Sequence, residues 1–227
     1  MIWFCGDPHG QFEHIIRMVK ANRPDAVVLL GDMECSLPLE RLLGPIIDMT
    51  EIWFIPGNHD CDDSSFWKNL TQSSLANRNL HGRVAEIDGK RVAGLGGVFD
   101  RPVWWPSENI EGPQNYQDLE TSLRLRKLSP EHLESRLLRY SASIFPEDYF
   151  SLAMERADIL VCHEAPDCHP YGFVEINELA QFVGATKVFH GHHHEHKAYE
   201  NSLALCGFEA YSVGLRGIVD EQGRVIC

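Results

Sequence analysis

The 227-residue chain is short of positive charge: 20 Lys and Arg stand against 33 Asp and Glu, for a net charge of −13. Such a surface repels a polyphosphate backbone and argues against broad nucleic-acid binding. It also means that an anionic ligand needs a local source of positive charge. The one basic cluster, "RLRKL" at 124–128, lies in a helical-looking segment and reads as a solvated face. Long apolar runs are missing, so no segment is expected to cross a bilayer, and the opening "MIWFCGDPHG" lacks the basic stretch of a signal peptide. The seven cysteines are odd in number and contain no CxxC pair, which points to reduced thiols in a cytoplasmic protein rather than a disulfide framework. There is no repeat and no low-complexity tract. At this length, with 44% hydrophobic residues, one domain can bury a substantial core.

What is present is a series of short continuous apolar runs: residues 2–7, 26–32, 51–60, 157–166 and 187–194. Continuity rather than alternation marks strands covered on both faces. Between the first three lie expected helices at 10–22 and 37–49, which gives a βαβαβ opening. Residues 84–97 and 202–226 read as hairpins, the first turning at Asp88-Gly89 and the second ending at Gln222-Gly223. The result is an α/β fold with a mixed sheet covered by helices. Residues 98–157 break the rhythm. Their Pro-, Gly- and Trp-rich start reads as a loop, and helix starts follow at Ser129-Pro130 and at Pro146. The expectation is one domain over 1–227 with an insertion at about 98–157 that covers the active site.

Each apolar run stops at metal-binding side chains. Asp7 and His9 follow the first, Asp32 the second, Asn58, His59 and Asp60 the third, His163 the fourth, and His192, His193 and His194 the fifth. In α/β sheets that edge is where ligands collect. Carboxylate, imidazole and amide donors without thiolate suit divalent Mn, Fe or Zn. There are too many for one ion, but with one carboxylate shared they divide between two. Such a pair also supplies the positive charge that the acidic chain lacks.

The blocks "GDPHG" (6–10), "GD" (31–32), "GNHD" (57–60), "CHEAP" (162–166) and "GHHH" (191–194) resemble, in order and strand context, the five blocks of the calcineurin-like metallophosphoesterases. The resemblance implies a four-layer α-β-β-α sandwich with mixed sheets and a helical insertion. It implies two divalent ions, with Mn the natural choice in vitro. Asp7, His9 and His194 would hold one, Asn58, His163 and His192 the other, and Asp32 would bridge them. His59 would face the substrate, and a metal-bridging hydroxide would attack a phosphomonoester or small phosphodiester in line. His192 and His194 are expected to point the same way from an extended strand end. His193 then points elsewhere, and His190 and His196 do structural or surface work.

Many relatives carry an acid three residues after the bridging Asp to orient the substrate-facing His. Here Cys35 stands there, which leaves Glu34 or an acid from another loop for His59. The extended GDxVDRG block and the GNHE ending of Ser/Thr protein phosphatases are missing. For substrate contacts the sequence offers Arg101, to grip a phosphate oxygen, and Trp104 or Trp105, to stack on a base or cover an apolar leaving group. Tyr171 and Phe173 are further pocket candidates, whereas Asp167 and His169 read as loop residues. The expected partner is a small phosphorylated substrate or a phosphoprotein, without nucleic acid or membrane. A protein phosphatase or nucleotide hydrolase on the same site, a non-catalytic metal-bound scaffold and a His-rich metal-storage patch are the alternatives.

Overall fold

The computed structural model describes residues 1–106 and 112–227. Its strands are β1 (Ile2–Cys5), β2 (Ala26–Leu29), β3 (Glu51–Phe54), β4 (Arg83–Ile87), β5 (Lys90–Leu95), β6 (Ile159–Cys162), β7 (Lys187–His190), β8 (Lys197–Ala198), β9 (Glu209–Ser212) and β10 (Ile218–Asp220). Its helices are α1 (Glu13–Asn22), α2 (Leu39–Leu42), α3 (Ser64–Thr71), α4 (Tyr116–Leu125), α5 (Pro130–Arg139), α6 (Pro146–Ala153), α7 (Val174–Val183) and α8 (Ser202–Cys206). One sheet runs β10-β1-β2-β3, and the other β4-β5-β6-β7-β9-β8. The five motif-bearing runs become β1, β2, β3, β6 and β7. Within each sheet they pair in parallel, so their C-terminal ends share one edge.

Alternation along the strands explains the layers. Ile2, Phe4, Val28 and Leu30 meet Val161, Phe189 and Val213 between the sheets. Across that gap Phe4 stacks on Phe189 at 3.8 Å. The intervening Trp3, Cys5, Val27 and Leu29 pack outward on Ile15, Val19, Leu39 and Leu43 of α1, α2 and the turn after α2. On the opposite side, Ala93, Leu95, Leu160 and Val188 pack on Tyr149 and Leu152 of α6 and on Ile176, Leu179 and Val183 of α7. Each motif-bearing strand is thus buried on both faces, the reason its sequence shows no polar alternation. The α-β-β-α sandwich is the architecture expected from the sequence.

Three local expectations change. The helix expected at 10–22 starts at Glu13, because His9 and Gly10 turn left-handed (φ 43° and 72°) and donate to the carbonyls of Asp32 and Met33 at 2.9 Å. The helix expected at 37–49 stops after Leu42 and leaves a single 3₁₀ turn at Gly44–Ile46, where Pro45 has no N–H to continue it. Residues 202–226 are not one hairpin, although the expected Gln222-Gly223 turn forms and brings Val225 back antiparallel to Val219. Gly207 (φ 85°) closes α8, β9 adds in parallel to β7, and β10 crosses to the other sheet to run antiparallel to β1. The expected turn at 88–89 is present, with both residues at positive φ (47° and 70°).

Within 98–157, α5 begins at Pro130 with the Ser129 hydroxyl accepting from the His132 N–H, and α6 begins at Pro146. The stretch read as a loop ends earlier than expected, because Asn115 caps α4. A satellite core of Val103, Leu119, Leu123, Tyr140 and Phe145 holds this segment together. No described helix is long and apolar enough to cross a membrane.

Candidate metal centre

Three loops leaving β1, β2 and β7 repeat one device. Asp7 and His9, Asp32 and Glu34, and His192 and His194 are pairs of polar residues two apart, all with left-handed backbone (φ 24°, 43°, 51°, 47°, 71° and 57°). Six of the ten non-glycine residues with positive φ among the described residues are these. Each such conformation costs about 1–3 kcal/mol, so the strain is concentrated where the donors are. It also corrects the expectation that His192 and His194 share a face through extended backbone, since neither is extended. Two glycines permit the crowding. A Cβ at Gly31 would lie 2.3 Å from His163 Nδ1, and one at Gly57 would lie 2.3 Å from Asp32 Oδ1.

The donors converge as two groups that share Asp32: His9, Asp32 and His194, and Asp32, His163 and His192. In the first, His9 Nε2 and His194 Nε2 approach to 2.9 Å, and Asp7 Oδ2 lies 3.9 Å from His194 Nε2. In the second, His163 Nε2 lies 3.1 Å from Asn58 Oδ1 and 3.4 Å from Asp32 Oδ2. Both Asp7 carboxylate oxygens and Asp32 Oδ2 are buried with no hydrogen-bond partner. A buried carboxylate left so is costly, and a divalent cation would satisfy it. The donor set therefore fits two cations.

The surrounding contacts fix which atoms are presented. His163 Nδ1 is 2.7 Å from the Leu30 carbonyl, so it donates there and turns Nε2 toward Asp32 and Asn58. Asp32 Oδ1 accepts the His59 N–H at 2.8 Å, which leaves Oδ2 for the centre. His9 Nδ1 pairs with Glu34 Oε1 at 2.5 Å. Glu34 therefore serves His9 rather than His59. The acid on His59 is Asp62, whose Oδ2 lies 2.6 Å from Nδ1. Buried Asp60 ties the loops together, accepting the N–H groups of Glu34 and Gly57 at 2.9 Å.

Electrostatics follow from burial and crowding. Burial pushes Asp7 up to about 6, and Asp32 beside it adds to the rise. Burial alone would also raise Asp32, but His163 and the His59 N–H hold it well below the usual carboxylate range. Burial opposes protonation of His163, yet Asp32 and Asp7 raise it to about 10. For His192, burial together with the nearby His163 and His193 outweighs Asp32 and takes it down to about 3. His59 resists its partial burial because Asp62 and Asp32 stabilise its protonated form, and its pKa is raised.

Beside the second group opens a cavity of about 630 Å³. Asn58, Asp62, Glu164, His192 and His193 line its polar side, and Phe99, Trp105, Tyr171 and Phe173 its aromatic side. Ser135, Leu138 and Arg139 of α5 add a wall, so the segment at 98–157 contributes much of the enclosure.

The sequence profile of the calcineurin-like phosphoesterases matches residues 1–196. The chain belongs to the calcineurin-like phosphoesterase family. A protein of Haemophilus influenzae described only as uncharacterized is 38% identical over the whole of this chain and 96% of its own length. The crystal structure of TT1561 from Thermus thermophilus shares the fold, with a TM-score of 0.60 at 16% identity over 99% of this chain and 96% of that one. The phosphoesterases of this family use dinuclear divalent metal centres, and the two Asp32-sharing groups are the candidate positions for one here.

The family blocks leave several side chains of the phosphoesterase unassigned, and the structure places each of them. Trp104 is not on the cavity lining; it packs edge-on against Phe99 and Tyr149 at 5.2 Å, and Trp105 lines the cavity instead. Arg101 lies outside the lining as well, with its guanidinium 5.3 Å from the Trp105 ring. His169 is buried rather than a free loop residue, with Nε2 2.9 Å from Glu195. Asp167 also has a fixed partner, its N–H donating to Asn177 Oδ1 at 3.1 Å. His190 is fully buried, with Nε2 3.2 Å from the Tyr199 hydroxyl, and His196 is exposed. Sequence reasoning missed Asp62 and Glu164. The first was legible in principle, because the i and i+3 side chains of a 3₁₀ turn such as Asn58–Cys61 eclipse.

Proposed function

We propose that this phosphoesterase hydrolyses a small phosphomonoester or phosphodiester at a pair of divalent cations of the Mn, Fe or Zn class. Asp7, His9 and His194 hold one, Asn58, His163 and His192 the other, and Asp32 both. The observation that carries the reading is Asp32 Oδ2, buried, unpartnered and common to both donor groups. Bound there, the cations supply positive charge to the phosphoryl oxygens and lower the pKa of water toward neutrality.

The chain's own residues do the rest. Asp62 holds His59 Nδ1, so Nε2 is the atom that hands a proton to the leaving-group oxygen. Glu34 and the Leu30 carbonyl lock the imidazoles of His9 and His163 in the tautomer that binds metal. Phe99, Trp105, Tyr171 and Phe173 cover an apolar organic group, and Arg139 adds a cation to the wall. The cavity volume is that of small-ligand sites, which favours a compact ester over a phosphoprotein segment. The test is turnover of a panel of aryl phosphates, bis-aryl phosphates and nucleotides by Mn-loaded protein, with metal counted by elemental analysis. Two ions per chain, and activity lost to a chelator and restored by Mn, are expected. Stoichiometric metal without cleavage of any ester would leave the scaffold reading standing instead.

A further inference from the structure

A third convergence of donors lies on the cavity wall: Glu164, His192 and His193. Glu164 and His193 belong to neither cation position proposed above. Glu164 is only 5% exposed, and Oε1 accepts a single N–H, from Phe99 at 3.2 Å. A buried carboxylate so lightly compensated attracts positive charge. The His193 ring is clamped face to face on His169, with centroids 3.8 Å apart and planes 18° from parallel. His169 is itself fixed at both nitrogens, with Glu195 2.9 Å from Nε2 and the Tyr171 N–H donating to Nδ1 at 3.1 Å. The oriented His193 ring nevertheless keeps Nε2 buried without a hydrogen-bond partner. An acid and an imidazole are thus both built into the wall, and the protein uses neither fully.

We propose that Glu164 and His193 form a third, weaker divalent-cation subsite that fills when a phosphate group occupies the cavity. The inference rests on the dinuclear reading of the neighbouring donors. Carboxylate and imidazole without thiolate select the same class of ion as the main centre. His192 is common to this group and to the Asp32–His163–His192 group, so the subsite adjoins the second cation. Dications that close repel one another, and a phosphate between them reverses the sign of the interaction. Occupancy is therefore tied to the anion. With two protein donors of its own, the subsite leaves its remaining positions to phosphate oxygens and water, which makes it weaker than the pair.

The experiment counts Mn bound to the full chain by equilibrium dialysis and elemental analysis, with and without inorganic phosphate below its precipitation limit. Wild type is expected to hold two ions without phosphate and three with it. Glu164→Gln and His193→Ala are each expected to hold two under both conditions, and that retained pair reports correct folding. A wild type that stays at two with phosphate overturns the subsite, as does a third ion that persists in both variants. Loss of the tight pair in both variants would place these residues in the main centre and also overturn it. Fewer than two ions on phosphate-free wild type strikes instead at the dinuclear reading and takes the subsite with it.

Discussion

The strand-end rim and the wall built from Phe99, Trp105 and α5 face each other across one cavity and are held in different ways. The rim is polar, backbone-strained and buried at its aspartates and His163, and it is kept in place by motif-bearing strands covered on both sides. The wall is aromatic and helical, and its α4–α5 part rests on its own small core of Val103, Leu119, Leu123, Tyr140 and Phe145. Buried rim donors such as Asp32 and His163 cannot move without disturbing the main core, whereas α5 can shift on its satellite cluster while Phe99 stays in the core beside α6 and α7. The proposed function therefore assigns bond-breaking chemistry and choice of substrate to parts of the molecule that mutation can separate.

The largest test of that separation is Asp32→Asn. With both donor groups lost, turnover should fall about 10³-fold or more and metal content drop below two ions, while Asn58→Ala loses less. Two retained ions in purified Asp32→Asn would break the distinction at its root. On the wall, Trp104→Ala should lower unfolding stability by about 3 kcal/mol in urea titrations, because the indole packs on Phe99, Tyr149 and Phe150. Its metal stoichiometry should not change, and a lost ion would show that wall and rim are coupled. Glu34→Gln should weaken Mn affinity by about 10–100-fold through the disoriented His9. An unchanged dissociation constant would remove Glu34 from the rim. Trp105→Ala should raise KM for an aryl phosphate about tenfold with kcat nearly kept, the effect of about 1.4 kcal/mol of lost contact. A fall in kcat alone would assign the indole to the chemistry instead.

The smallest effect lies far from both regions. Burial alone would raise Asp220, but the Arg224 guanidinium and the N–H groups of Arg224 and Gln222 hold it below its ordinary value. Its folded pKa is thus lower than its unfolded one. The stabilisation it gives is complete above about pH 4 and disappears as the pH falls through the lowered folded value. Asp220→Asn should flatten the acid limb of a stability profile and leave turnover at neutral pH unchanged.

The strands and most donors were legible in the sequence because both signals are local. A run of apolar residues ending in Gly-Asp or Gly-Asn-His-Asp announces a buried strand and what it delivers. Contacts made by loops across the sheet edge were not legible. That Glu34 turns to His9, 25 residues away, and leaves His59 to Asp62 depends on backbone angles that no periodicity encodes. Trp104 and Trp105 are neighbours with opposite fates, one packed among aromatic rings and one on the cavity. Residue type could not separate them. Residues 202–226 carried the composition of paired strands, and the turn at 222–223 does return Val225 to β10, but β9 and β10 join β7 and β1 in different sheets rather than each other.

The segment between β9 and β10 has a consequence for how the first motif is seated. The Gly6 N–H donates to the Gly217 carbonyl at 3.0 Å, and the backbone of Val213 and Gly214 presses on Gly6, immediately before Asp7. The first motif in chain order therefore leans on residues that lie beyond the last one. A stretch that carries all five motifs but lacks residues 213–217 would hold every donor and still miss the buttress that seats its first aspartate.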